Sequence, residues 1–447
     1  MQSIHKKPNL TLILHTTVFI FNFSFSIFCH LTPPFFILQF YTVRGDSDAD
    51  STQFLIQKIR ARTLDHPPVQ SFFHLSFQFF PQKALPLRGK SIIIMLNEAI
   101  QLLSQLIATP SISRDEQAAA DILQNYLQDK GFQPQRHGNN LWVLSPDFNE
   151  SKPTILLNAH IDTVKPVSAW QRNPFQPSLE GDTLYGLGSN DCGGGLVSLL
   201  QVFITLSSSS SFRLHSSFNL VYLASCEEEV SGKNGIESVL PLLPKIDFAI
   251  VGEPTGMQPA IAEKGLMVID ATAHGKAGHA ARNEGDNAIY RAIKDIAWIQ
   301  QFQFPKQTEL LGPVKTTVTI INAGTQHNVI PDTCTFTIDV RSNECYTNEE
   351  IFSVLQENMQ SELHARSFRL SSSSISADHP FVQRCKALGM KPFGSPTLSD
   401  QALMRFPSLK LGPGESSRSH TADEFIRIPE IEHAINTYLK LLTDFQF

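Results

Sequence analysis

Apolar residues recur at helical spacing from Leu96 to Ile107, and the run stops at Thr109-Pro110, which predicts a helix ending there. Ser113-Arg-Asp-Glu116 predicts a capping box that opens a second helix through Leu127, closed by Gly131. Short apolar segments at Leu141–Leu144, Thr154–Ala159, Asn219–Ala224 and Phe248–Val251 then read as buried strands, with an apolar helix at Leu196–Leu206. This alternation predicts an α/β domain around a central sheet.

Past residue 265 the pattern changes. Leu266–Ala273, Thr316–Ile321 and Thr333–Val340 alternate like half-exposed strands. A helix at Ala288–Gln301 lies between them and another begins near Asn348. The stretch reads as an α+β unit inserted into the first domain, which resumes near residue 372. Serine runs at 207–211 and 371–374 read as surface loops.

Composition changes this picture at one place. Apolar residues make up 42% of the 447 and charged residues 17%, which excludes a disordered or fibrous chain. The net charge of −6 offers no basic field for nucleic acid. Yet residues 1–94 hold 14 of the 32 Phe, no Glu, and nine Lys/Arg against four Asp. That piece is +5 and the remainder is −11, so two different sequences meet near residue 95. Residues 1–94 read as an extension without a fold of its own, and regular sequence starts at Met95. Within it, Leu10–Cys29 follows Lys6 and Lys7 in the manner of a signal peptide or membrane anchor, but His15 and Asn22 interrupt the run. Six sparse cysteines without a CxxC pair favour reduced thiols and a cytoplasmic protein.

Chemistry gathers after the predicted strands. Thr154–Ala159 runs into His160-Ile-Asp162, where an imidazole can take a metal and a nearby carboxylate can fix the ring. Gly186-Leu-Gly-Ser-Asn-Asp191-Cys-Gly-Gly-Gly195 opens the apolar helix; it lacks the Gly-Lys-Ser/Thr ending of a phosphate loop, and Asp191 would repel phosphate. Asn219–Ala224 is followed by Glu227-Glu228-Glu229, and Phe248–Val251 by Gly252-Glu253. Far downstream stand Gly412-Pro-Gly-Glu415 and His420-Thr-Ala-Asp-Glu424. Each piece alone has a bland explanation: a structural histidine, a glycine cap, a solvated acidic loop. As a set, two histidines and three carboxylates suit two zinc-like ions sharing a bridging carboxylate.

In this order the motifs resemble the zinc-dependent deacylase and exopeptidase family that includes acetylornithine deacetylase, succinyl-diaminopimelate desuccinylase, aminoacylase and carboxypeptidase G. The resemblance runs through residues 95–447 and is strongest toward the acetylornithine deacetylase group, on Val251-Gly-Glu-Pro-Thr255, Ser395-Pro-Thr-Leu-Ser-Asp400 and Gly412-Pro-Gly414. It implies a mixed-sheet catalytic domain in two parts, 95–265 and 372–447, and a lid and dimerisation domain at 266–371. It implies that His160 and Glu253 ligate one ion, Glu229 and His420 the other, and that Asp191 bridges them. Asp162 becomes the partner of His160 and Glu228 the general base; the family's usual Asp-Glu-Glu stands here as Glu227-Glu228-Glu229.

In the lid, Gly275-Lys-Ala-Gly-His279 resembles a segment whose histidine reaches the partner subunit's site. Asn328 matches the lid's substrate loop, and Arg341, after Asp339-Val, the contact to the substrate carboxylate. Thr397, in Gly394-Ser-Pro-Thr-Leu-Ser-Asp400, departs from the commoner Gly-Gly-Thr-Ser-Asp. The implied protein is a homodimeric cytoplasmic enzyme with two Zn2+ per subunit, or Co2+ in their place. It would deacylate a small N-acyl amino acid such as N-acetylornithine in arginine biosynthesis. A desuccinylase, a dipeptidase and a metal-free scaffold remain the alternatives.

Overall fold

The computed structural model describes three strands within the first 41 residues, then residues 89–210 and 216–447. The chain divides into two units, Met1–Pro81 and Gln82–Phe447. In the first unit, β1 (Thr17–Ile20), β2 (Phe23–Thr32) and β3 (Phe35–Tyr41) form an antiparallel meander. The apolar run Leu10–Cys29 is strand where it is described, and otherwise lies outside the described residues.

The second unit opens with α1 (Gly89–Ile107), which begins six residues before Met95. Next come α2 (Gln117–Asp129), β4 (Gln135–His137), β5 (Asn140–Leu144), β6 (Thr154–His160), β7 (Ser178–Glu180) and β8 (Thr183–Tyr185). They are followed by α3 (Gly194–Ser208), β9 (Asn219–Ser225), β10 (Phe248–Val251) and β11 (Ala260–Glu263). A second sheet then intervenes, with β12 (Met267–His274), β13 (Gly278–His279), α4 (Ala288–Gln301), β14 (Lys315–Ala323), β15 (Val329–Ile330), β16 (Thr333–Arg341), α5 (Asn348–Asn358) and β17 (Glu362–Ala365). The chain returns through β18 (Ser373–Ser374), α6 (Pro380–Ala387), β19 (Phe393–Ser395), β20 (Ser408–Lys410), β21 (Phe425–Arg427) and α7 (Ile428–Leu442).

The first sheet is mixed. Its centre, β20-β10-β6-β9, is parallel; β5 and β4 extend one side antiparallel, and on the other β11 runs antiparallel to β20 and β18 and parallel to β19. Buried on both faces, the parallel strands carry apolar side chains on successive positions through most of their length, which is why their sequences run rather than alternate. Ile155, Leu157 and Ala159 point into one core with Leu196, Phe203 and Tyr438 of the helices. Leu156, Val221 and Ala249 point into the core on the other face. The inserted sheet, ordered β14-β16-β12-β17, is antiparallel throughout. It alternates as a one-sided sheet must, with Met267, Ile269 and Ala271 buried against Ala288, Ala292, Ile351 and Leu355.

Three local expectations change. Ser113 and Glu116 form no capping box: the Ser113 hydroxyl donates to Asp162 Oδ2 at 2.7 Å, and the Glu116 carboxylate accepts from Asn139 Nδ2 at 2.9 Å. Ser113 is drawn to the buried Asp162, and the buried Glu116 takes Asn139 and the Arg114 N–H instead of the Ser113 N–H. The serine run at 371–374 is not a free loop; Ser373 is buried and pairs with Glu263 at the sheet edge. Ser207 is buried at the end of α3. The stretch Ser189–Ser208 is the one helical segment among the described residues long and apolar enough to cross a membrane, and 83% of it lies inside the domain.

The glycines before α3 answer a packing demand. A Cβ on Gly195 would lie 1.8 Å from the carbonyl oxygen of Gly252, so the start of α3 and the end of β10 touch backbone to backbone. Gly195→Ala is expected to cost about 3 kcal/mol or more in urea unfolding, because neither backbone can withdraw without moving the loops beside it.

Candidate metal centre

All four parallel strands end at one edge of the sheet, the place where α/β folds build sites. β6 ends in His160, which lies in register with Ser225 of β9. Val251 of β10 is paired with Asn158 and with Lys410. The residues following these ends therefore emerge together: Glu227–Glu229 after β9, Glu253 after β10, and the 412–424 loop after β20. Asp191 enters from the irregular turn Ser189–Gly193, ahead of α3.

Five of these side chains meet. His160 Nε2 is 3.3 Å from Asp191 Oδ1 and 3.5 Å from Glu253 Oε1. His420 Nε2 is 3.6 Å from Asp191 Oδ2 and 2.9 Å from Glu229 Oε2. Asp191 thus turns one oxygen to each histidine. His160 is buried, Asp191, Glu253 and Glu229 are nearly so, and the His420 side chain stands 54% exposed at the mouth.

The geometry separates the three consecutive acids. Glu227 sits in the left-handed region at φ 53° and accepts from Asn234 Nδ2 at 3.0 Å. This turn faces Glu227 away and leaves Glu229 toward His420. His420 itself is at φ 59°. Two non-glycine residues held in this region cost about 1 kcal/mol each, a cost that clusters at functional sites.

Asp162 does more than the sequence suggests. The ring proton of His160 goes to the Asp162 carbonyl, with Nδ1 to O at 2.8 Å, while the carboxylate stands 3.5 Å off. A carbonyl only accepts, so Nδ1 carries the proton and Nε2 presents its lone pair to the cluster. The carboxylate accepts from Ser113 Oγ, from Glu228 N at 3.0 Å and from Glu229 N at 3.1 Å. Burial opposes its charge, but His160, Ser113 and the Glu228 N–H together hold the Asp162 carboxyl below the usual carboxylate range.

Glu424 has an equivalent part that no sequence reading assigned. It accepts from the backbone N–H of Gly188 at 3.0 Å and of Asn190 and Asp191, each at 2.9 Å. Asn190 in turn binds the Glu415 backbone through both ends of its amide. These contacts clamp the turn that presents Asp191. Glu424 stands four residues after His420, but its partners are backbone groups far away in sequence, which no motif displays.

The free donors fit divalent ions. Ligand atoms of His160, Asp191 and Glu229 lie within 4.8 Å of one another, as do those of His160, Cys192 and Glu253. Burial, with Asp191 beside it, pushes the Glu253 carboxyl up to about 8, and burial raises Glu228 well above its ordinary value. A cation removes that penalty, and imidazole with carboxylate suits borderline and hard ions. Cys192 is a poor candidate ligand: burial drives its thiol far up, and Sγ accepts from the His160 backbone N–H at 3.3 Å.

The remaining expected residues make other contacts. His279 and Val329 pair across the small β13–β15 ribbon, and Ala280 N donates to the Asn328 carbonyl at 2.9 Å, so His279 and Asn328 share one exposed tip. His279 Nδ1 accepts locally from Ala281 N at 3.1 Å. Arg341 directs its fork at Asp339 on the same strand, at 2.9 and 3.1 Å. Thr397 accepts from Lys410 Nζ through both its carbonyl and its hydroxyl.

A mixed-sheet α/β domain carrying an inserted domain, with two histidines and three carboxylates at the sheet's edge, defines the metallohydrolase class. The chain belongs to Peptidase family M20/M25/M40, which it matches over residues 156–444. It is a hydrolase of that family. It is 28% identical over 385 residues to an acetylornithine deacetylase of Proteus mirabilis, covering 79% of this chain and 98% of that one. It is 26% identical over 291 residues to a succinyl-diaminopimelate desuccinylase of Wolbachia pipientis subsp. Culex pipiens, covering 62% and 72%. In fold it resembles the YXEP protein of Bacillus subtilis, a dinuclear metal-binding peptidase of the family, with a TM-score of 0.60, 16% identity and coverage of 78% and 98%.

Ion-free, the Glu229 carboxylate raises His420 to about 9, while Glu253 stands at about 8. Both must lose their protons to ligate, so metal affinity falls as pH falls through and below that range. Competition titrations with a chromophoric chelator are expected to show tighter Zn2+ binding at pH 8 than at pH 6.5, with release of about one to two protons per chain. An affinity independent of pH would exclude His420 as a ligand.

Proposed function

We propose that this chain hydrolyses the amide of a small N-acyl amino acid, with N-acetylornithine, N-succinylornithine or N-acetylcitrulline as the substrate class, in arginine biosynthesis in the cytoplasm. The observation that carries this reading is Asp191 between His160 and His420, with a fourth acid, Glu228, nearby and outside the proposed ligand set. Similarity over 98% of an acetylornithine deacetylase and 79% of this chain supports the substrate class.

His160 and Glu253 would hold one Zn2+, Glu229 and His420 a second, with Asp191 shared and Co2+ as a substitute. When bound, the ions supply Lewis acidity that polarises an amide carbonyl and makes water more acidic. Glu228 takes the proton of the water that attacks the carbonyl carbon, and gives it to the amide nitrogen as the carbon–nitrogen bond breaks. Its raised basicity, from burial, suits the first half of that cycle. Asp162 keeps His160 in the ligating tautomer and fixes the backbone of Glu228. Arg341 would exchange Asp339 for the substrate carboxylate, and Asn328 and Thr397 would contact substrate. His279, exposed on its ribbon, would stabilise the oxyanion in the site of the second subunit of a homodimer.

A desuccinylase acting on succinyl-diaminopimelate is the second reading, supported by the relative that is 26% identical. A hydrolysis panel of N-acetylornithine, N-succinylornithine, N-acetylcitrulline, succinyl-diaminopimelate and dipeptides decides between them; the first three are expected to be turned over fastest.

Glu228→Gln is expected to retain its metal content and lose roughly a thousandfold in kcat. Near-normal turnover would remove Glu228 from the base role. Mixing His279→Ala with Glu228→Ala protein is expected to regain activity through hybrid dimers, each with one intact site. Verified subunit exchange without any rescue would place His279 outside the chemistry.

A further inference from the structure

Lys410 ends β20 at the same edge of the sheet as His160, yet the proposed reaction makes no use of it. Its side chain is 2% exposed. Its ammonium has three N–H groups and meets three acceptors: Glu263 Oε2 at 3.1 Å, the Thr397 carbonyl at 3.0 Å and Thr397 Oγ1 at 3.1 Å. Glu263 is wholly buried, and its carboxylate also accepts from Ser399 Oγ at 2.7 Å and Ser399 N at 3.3 Å. A cation and an anion taken out of water are thus satisfied by each other and by two residues of the Ser395–Asp400 loop.

The pair also sits where the chain leaves for the inserted domain and where it returns. Glu263 is the last residue of β11, and its carbonyl accepts from Ser372 Oγ at 2.7 Å on the returning strand. Lys264 N donates to the Ser395 carbonyl, Gly265 N to Ser342 and Leu266 N to Leu370. Gly265 is packed so closely that a Cβ would lie 2.4 Å from Ser342 Oγ and 2.5 Å from Ser372 N. At its far end the loop reaches the site, where Asp400 Oδ2 accepts from Ser225 Oγ at 2.6 Å, just before Glu227–Glu229.

We propose that Lys410 is a positioning residue: its buried ammonium locks the Ser395–Asp400 loop to Glu263 on the outgoing linker of the inserted domain, which is bonded in turn to the returning linker, so that loop and linkers form one block beside the metal centre. The consequence for substrate rests on the hydrolase reading above, in which this loop contacts substrate. Lysine suits the position because its three donors spread over a carboxylate, a carbonyl and a hydroxyl, where the planar fork of arginine would not fit the same three directions.

The test separates the lock from plain stability. Lys410→Met leaves Glu263 buried without its cation and is expected to lower the melting temperature. Adding Glu263→Gln removes both charges and is expected to restore most of that loss. In the metal-loaded double variant, amide hydrogen exchange across residues 393–400 and 263–266 is expected to rise about tenfold, with β6 unchanged. Its KM for the substrate the wild type favours is expected to rise about tenfold, with kcat within about threefold. Wild-type exchange in the loop of the double variant overturns the proposal, as does a rise spread evenly over the domain. A wild type that hydrolyses nothing in the panel overturns the hydrolase reading, and the exchange data then decide on Lys410 alone.

Discussion

Asp191, Glu229 and Glu253 converge on two imidazoles in a place largely closed to water, and the structure around them answers that concentration of negative charge. The acids of this region fall into two kinds. Asp162 takes a hydroxyl and two backbone N–H groups, Glu424 takes three backbone N–H groups, and Glu263 takes a lysine and a serine. Each of these is satisfied by donors the chain itself supplies. Asp191 and Glu253 instead face His160, and Glu229 faces His420, so their lone pairs point toward a shared space. Buried carboxylates fully supplied with backbone and side-chain donors are structural members; those turned toward the imidazoles keep lone pairs that suit a cation.

Rigidity around this space comes from backbone contacts more than from side chains. Gly195 lies against Gly252, which brings the Asp191 turn and Glu253 within reach of the same histidine. Glu227 and His420 are held at positive φ, and each reversal sets the direction of a neighbouring or own functional side chain. Such conformations persist only where hydrogen bonds over-determine them. Asp162 supplies them for the acid turn, and Asn190 with Glu424 for the 412–424 loop.

The inserted domain hangs from two adjacent linkers that are bonded to each other, and the outgoing one is bonded to the loop that ends at Asp400. A domain tethered this way has few soft torsions available for motion, because Gly265 is hemmed in by Ser342, Ser371 and Ser372. Displacement of the inserted sheet must then be absorbed within a short span on either side of this block. The Arg341–Asp339 pair and the His279 ribbon lie beyond it, in the inserted domain.

How much of this the sequence displays depends on what fixes each residue. His160, the acids after β9, and Glu253 are legible because an apolar strand announces its own end, and a polar residue just past a buried strand has few places to go. Asp191 is legible as a charge inside a glycine turn that leads into a helix. Glu424, Lys410 and Ser113 are not, since their partners are backbone groups or side chains remote in sequence, and Ser113 followed by Glu116 mimics a cap so well that local pattern misassigns both. The same logic explains why reaction class is easier to read than substrate. Bond cleavage needs groups held in strict register along adjacent strands, and register leaves a repeating mark. Substrate choice, in the function proposed above, would rest on His279, Asn328, Arg341 and Thr397, which lie on a ribbon, a strand end and a loop whose neighbours are set by tertiary contact. Arg341 makes the point: its fork fits any carboxylate, and the one it holds is Asp339, two residues away on its own strand.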